Sequence, residues 1–192
     1  MLVIRCTAKL RKVGRWPVEE PTGTDDADTG GTDTEWYANL LWFERRKCIL
    51  FTHGATLYTF LVPDVVKKDL DDIGSLLRDN LYDQLIYDGI DLNHAVPILR
   101  TEDPPVIAVA RNRSILGSMN ELAIGYAWAI HSAGGLQHVS RRVASRNVNW
   151  TPMTRIGYGC PQNAMREYVG YPEVRGANHG SLSFGMVRTE PE

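Results

Sequence analysis

Trp36-Tyr37-Ala38-Asn39-Leu40-Leu41-Trp42-Phe43-Glu44 is followed by Lys47-Cys48-Ile49-Leu50-Phe51-Thr52-His53 and then by Thr56-Leu57-Tyr58-Thr59-Phe60-Leu61-Val62. All three runs are rich in β-branched and aromatic residues, the composition of strands. Glu44 to Lys47 makes the first turn and Gly54 the second, and connections this short make neighbouring strands antiparallel. In the first run Trp36, Ala38, Leu40 and Trp42 share one face, while Tyr37, Asn39, Leu41 and Phe43 share the other. Both faces are largely apolar, so the meander is expected to be central and covered on both sides, at least in part. Asn39 breaks the pattern. A polar group in such a strand needs hydrogen-bond partners; a satisfied structural amide is the favoured reading and a pocket-lining residue the sharper one.

Leu2 to Cys6 reads as a further strand, after which Thr7 can cap a short basic helix from Ala8 to Val13. Val106-Ile107-Ala108-Val109-Ala110 is short, apolar and β-branched, as a buried strand should be. Between Asp64 and Asp88, the residues Val66, Leu70, Ile73, Leu77, Leu81 and Leu85 recur at three- and four-residue spacing, an amphipathic helix that Gly74-Ser75 can split. A second helix is expected from Ser118 to Ala133. Ser118 and Glu121 stand in capping-box spacing ahead of an apolar run to Ile130, and Gly134-Gly135 supplies the stop. Leu136 to Asn147 reads as a short basic helix, and Pro161 suits the first turn of a last helix, Gln162 to Val169.

The fold class expected is α+β: an antiparallel, meander-based sheet, joined by Leu2–Cys6 and Val106–Ala110 and packed by several helices. Residues 1–169 form one domain. Residues 15–35 are expected to be a disordered acidic loop, having much charge and little to bury past Val18. Residues 170–192 form an extra tail, or an edge strand through the alternating Leu182, Phe184 and Met186.

With 192 residues, 43% hydrophobic and 23% charged, the chain can bury an ordinary core, and a net charge of -2 gives no global field for nucleic acid or an anionic membrane. Charge is unevenly distributed: basic from Arg5 to Arg15, acidic from Glu19 to Glu35, basic again through Arg141, Arg142, Arg146, Arg155 and Arg166. Cys6, Cys48 and Cys160 are too scattered for a disulfide framework or a zinc site. The start lacks signal-peptide architecture and no apolar run suits a spanning helix, so a reducing cytoplasm and no membrane partner are expected. Asp26, Asp28 and Asp33 offer oxygen ligands without the EF-hand pattern, and no metal is expected there.

The stretch Arg111-Asn112-Arg113-Ser114-Ile115-Leu116-Gly117-Ser118-Met119-Asn120-Glu121 leads from a strand into a helix. Free amides at a helix N-terminus favour an anion, and two arginines add charge. Arg111, Arg113, Ser114, Ser118 and Asn120, with Asn39, are therefore the candidate ligand-binding residues. The competing reading, which is favoured, satisfies the helix end with Ser118 and Glu121 and leaves the arginines solvated or paired with Asp103 or Glu121. No nucleophile–base pair or metal constellation is recognisable, so no catalytic residue and no cofactor are assigned. These features suggest a non-catalytic binding or regulatory domain for an anionic small molecule or protein partner. The alternative is a small nucleic-acid-acting or phosphoryl-transfer enzyme with His53 or His131 as acid/base group. Nucleic-acid contact through Arg141, Arg142 and Arg146, with His138 nearby, is disfavoured against an ordinary solvated face.

Several motifs taken in order carry a family resemblance. They are Arg5-Cys6-Thr7, Trp36 to Leu41, Arg45 to Phe51, Arg113 to Glu121, and Thr151-Pro152-Met153 with Ile156-Gly157-Tyr158. Together they resemble an uncharacterised bacterial family, a domain of unknown function, over roughly residues 1–169. The resemblance implies a single bacterial domain and carries no activity. The Asp-rich loop at Asp25 to Thr34 and the tail after Gly170 depart from the pattern.

Overall fold

The computed structural model describes residues 2–19, 35–90 and 104–170. Most of the acidic loop, with its aspartate trio, the stretch from Asp91 to Asp103 and the tail with its edge-strand candidate lie outside the described residues.

Three strands form the expected antiparallel meander: β2 (Glu35–Phe43), β3 (Arg46–His53) and β4 (Thr59–Val62). The first turn is tight. Glu44 and Arg45 both take positive φ, 50° and 65°, the backbone hand that suits a two-residue hairpin. The remaining strands correct the expectation. β1 (Val3–Cys6) lies parallel to β2, and β5 (Val106–Val109) lies parallel to β1, giving the order β4-β3-β2-β1-β5. The sheet is mixed, not purely antiparallel. Parallel neighbours need a crossover of a dozen residues or more. The long segment between Cys6 and Glu35 is one, and it contains a helix, α1 (Ala8–Gly14).

Helices cover both faces. On one side α1, α2 (Lys67–Asp71), α3 (Ile73–Tyr87) and α6 (Pro161–Tyr168) pack over Ile4, Trp36, Ala38, Phe51 and Phe60. On the other, α4 (Arg113–Ser132) and α5 (Arg141–Asn149) pack over Tyr37, Cys48, Leu50 and Leu61. The two-sided burial read from β2 is thus present, although Trp42, at its far end, is exposed. The expected split in the Asp64–Asp88 helix falls at Asp72, whose carboxylate caps α3 by accepting from the Ser75 amide at 2.9 Å. Gly74 has a packing role instead, because a Cβ there would stand 2.8 Å from the Pro105 ring.

A polar hub ties the layers together. The Asp88 side chain, fully buried, accepts from the Tyr58 hydroxyl at 2.5 Å, Gln84 Nε2 at 3.2 Å and Arg146 Nε at 3.0 Å, while Arg166 donates to its carbonyl at 2.8 Å. Burial, with the Asp88 charge beside it, holds the Tyr58 phenol well above its usual value, so it stays a donor. Nearby, the Asn149 amide accepts from Thr59 N and donates to Thr59 O, each at 2.8 Å, bonding α5 to the outer edge of β4.

Candidate functional site

The carboxyl ends of β1 and β5 lie side by side, next to the middle of β2, which runs on past them from Asn39 to Phe43. Cys6 is in register with both Ala38 and Val109; Thr7 N donates to Ala38 O and Ala110 N donates to Cys6 O. Asn39 and Ala110 therefore flank Thr7, about 10 Å apart at ordinary strand spacing. From this edge β1 feeds α1 on one face, through Leu10, while β5 feeds α4 on the opposite face, through Ile115. Adjacent strands whose helices leave to opposite faces open a crevice at their carboxyl ends, the place where open sheets of this kind bind ligands.

Arg5 anchors this edge from below. Its buried guanidinium pairs with buried Glu35 at 2.6 Å and donates to Val109 O at 3.3 Å. One charge of the basic N-terminal segment is thereby matched inside the sheet.

Helix α4 starts earlier than its sequence suggested. Asn112 is the N-cap, its side chain accepting from Ile115 N at 3.1 Å. Ser118 and Glu121 consequently lie inside the helix, and the capping box expected between them is not formed. The apolar stripe explains the choice: Ile115, Met119, Leu122, Tyr126 and Ile130 are all buried, so the helical period already runs from Ile115.

The candidate residues separate into three groups. Arg111, Arg113 and Ser114 surround the true start of α4, and all three are exposed. Ser118 is buried one turn further in, and Asn120 is exposed about 10 Å along the axis from Arg113. Asn39 sits mid-strand in neighbouring β2, half-buried, accepting from the Thr7 hydroxyl at 3.0 Å. Thr7 thus serves Asn39, and makes no side-chain cap for α1.

One residue of the corner was missed by sequence reasoning. Arg155 projects from a 3-10 turn, Thr154–Ile156, and its Nη1 donates to Ser114 Oγ at 2.8 Å. The turn is pinned by Met153, buried under α4 and bridged to Gly159. Among the described residues no carboxylate lies within salt-bridge distance of Arg113 or Arg155, and Arg111 stands beside them on the approach to Asn112. Exposed Arg111 and Arg113 and half-buried Arg155 thus stand around the first turn of a 20-residue helix. Cations beside free helix-start amides are chemically able to hold anionic oxygen by charge and by N–H donation together.

The other basic region is used within the fold. Arg141 and Arg142 both reach Asp83, at 3.2 and 2.8 Å, Arg141 also donates to Asn80, and Arg146 reaches Asp88. These contacts dock α5 on α3. The two histidines suggested as acid/base groups stand away from the corner. The His53 ring packs between Trp36 and Tyr168, at 5.0 and 4.7 Å, on the α3 face. By register it is level with Ile107, roughly 16 Å short of Asn112 along the strand direction. His131 lies at the far end of α4, about 27 Å from Arg113 at the helical rise. Neither can share a proton with a group bound at the corner.

Among the described residues no helix is long and apolar enough to cross a membrane, and no three His, Cys, Asp or Glu side chains are grouped to hold a metal ion. Burial lifts the Cys6 thiol to about 12 and also raises those of Cys48 and Cys160, so none is primed as a thiolate.

Comparison with curated proteins finds no match, and comparison with solved structures finds none. A family profile does match, over residues 3–164, which include every described strand, α1 to α5 and the Arg155 turn. The chain belongs to DUF6933, a domain-of-unknown-function family.

Proposed function

We propose that this chain is a non-catalytic binding domain of the bacterial cytoplasm that recognises an anionic group on a small molecule or protein partner. The contacts are made by Arg111, Arg113, Ser114 and Arg155, with Asn39 at the margin. The observation that carries this reading is the difference in use of arginine. Arg141, Arg142 and Arg146 meet aspartates within the chain, whereas Arg113 and Arg155 meet no acid among the described residues. The strand ends beneath supply a rigid floor, and the start of α4 supplies amides aimed outward. Ser118, being buried, supports the helix, and Asn120 can reach only a ligand that extends along it.

Thermal shift of the full chain tests this, using phosphate, pyrophosphate, nucleotides and small dicarboxylic acids on wild type and Arg113→Ala. One class of anion should raise the wild-type Tm saturably; at a hundredfold excess over Kd, linkage gives about 2.7 kcal/mol. The rise should vanish in Arg113→Ala. No shift with any anion, or an unchanged shift in the variant, contradicts the proposal. Turnover of a phosphate ester that disappears in Arg113→Ala contradicts its non-catalytic part.

A further inference from the structure

Helix α4 presents a second surface, away from its buried stripe. At about 100° per residue, Arg113, Gly117, Asn120, Glu121, Ile124 and Trp128 fall on one face. All six are exposed, and Ile124 and Trp128, at 69% and 62%, are among the barest large apolar side chains of the described chain. Among the described residues Arg113 and Glu121 have no ion-pair partner, and the Trp128 ring has no aromatic or cationic neighbour. Gly117 is at the middle of this exposed face. A glycine weakens a helix interior relative to alanine, and among the described residues nothing requires one here, since a Cβ would meet none of their atoms within 4 Å.

The spacing of these residues is self-complementary. Two copies of α4 laid antiparallel, with a two-fold axis between Asn120 and Glu121, bring together positions equally far from that axis. Arg113 then meets Trp128, Gly117 meets Ile124, and Asn120 meets Glu121, each twice. The contacts are a guanidinium over an indole face, an isoleucine seated where a missing side chain lets backbones approach, and an amide donating to a carboxylate. We infer that this face of α4 binds a second copy of the same chain, as an isologous antiparallel helix pair in this register. The inference stands without the anion-binding reading. Stacking occupies the flat face of the Arg113 guanidinium and leaves its N–H edge directed outward, so both can hold together.

Sedimentation equilibrium on the full chain tests it. The wild type should form a concentration-dependent dimer. Ile124→Glu should weaken it more than about tenfold, with no loss of thermal midpoint in solutions dilute enough for both proteins to be monomeric, because the site is exposed. In the same dilute solution Gly117→Leu should raise the thermal midpoint, as a better helix former, and yet weaken the dimer as strongly; a residue with only an internal role would not separate the two readouts. In a Cys160→Ser background, Glu121→Cys should cross-link copies under mild oxidation, its two sulfurs lying beside the axis. Ile124→Cys should not, because its two positions are about 10 Å apart along the helices. A wild type that stays monomeric at every concentration overturns the inference. So does a dimer indifferent to Ile124→Glu and Gly117→Leu, or cross-linking through Ile124→Cys in preference to Glu121→Cys.

Discussion

The α5 arginines and the arginines at the start of α4 are similar as sequence and opposite as chemistry. In α5, Arg146 reaches into the fold to a fully buried Asp88, and its guanidinium also stacks over Tyr87 at 4.3 Å. Arg141 and Arg142 share Asp83 at the surface. At the start of α4, Arg113 projects from the capped helix, and Arg155, from the neighbouring 3-10 turn, donates to the Ser114 hydroxyl. A local excess of basic residues does not itself give positive potential. What matters is whether a carboxylate from another element arrives, and Asp83 and Asp88 arrive only because α3 packs beside α5. The first cluster is thus a matter of stability, and the second is the one we propose for recognition.

The comparison can be broken most directly at Arg146. Arg146→Ala leaves the buried Asp88 carboxylate without its cation and should cost about 3 kcal/mol in chemical denaturation, toward the lower end for a broken buried pair because Arg146 keeps some solvent contact. A loss under 1 kcal/mol would mean that Tyr58 and Gln84 satisfy Asp88 unaided.

Next come the two helix caps, each worth about 1 kcal/mol at neutral pH. Asn112→Ala should lower stability by that amount at every pH, because an amide does not titrate. Asp72→Ala should behave otherwise. Hydrogen bonds from the Ser75 amide and hydroxyl hold the Asp72 carboxyl below its usual 3.8. A carboxyl depressed in the folded state contributes stability that is present above its unfolded value and lost as pH falls through its folded value. The gap between wild type and Asp72→Ala should therefore close as pH drops below about 4, while the Asn112→Ala gap stays open. Urea titrations across that range check both.

Smaller still is Arg142→Ala. Its pair with Asp83 is surface-exposed and should be worth roughly 0.2–1 kcal/mol, shrinking as salt rises. Smallest is Arg113→Ala, which should change stability by less than about 0.5 kcal/mol while abolishing the response to anions. A large stability loss there would place Arg113 with the α5 group and remove the contrast.

Much of this architecture could be read from residues. The alternation in Trp36 to Phe43 foretold both covered faces, and the short links around Gly54 and Glu44 foretold the antiparallel meander. The parallel placing of β1 and β5 was hidden, because a long connection permits either direction and local pattern does not name a partner strand. The start of α4 was ambiguous for a specific reason: Asn112 and Ser118 are both competent caps six residues apart. Only the buried stripe beginning at Ile115 decides between them, and it was legible in principle. Arg155 was not. It lies 41 residues from Ser114, and the bond between them exists only once Met153 has packed beneath α4. The pairing of Arg146 with Asp88, 58 residues apart, is tertiary in the same way.

The Asn149 amide against Thr59 has a consequence for the chain in crowded solution. β4 is a terminal strand of the sheet, and an unpaired strand border is a template on which other chains can add. By offering one acceptor and one donor to the same residue, Asn149 imitates a sixth strand just where that border faces outward. Asn149→Leu would keep most of the volume but free both Thr59 groups, and its first symptom should be self-association into β-rich aggregates during refolding, ahead of any change in the native spectrum.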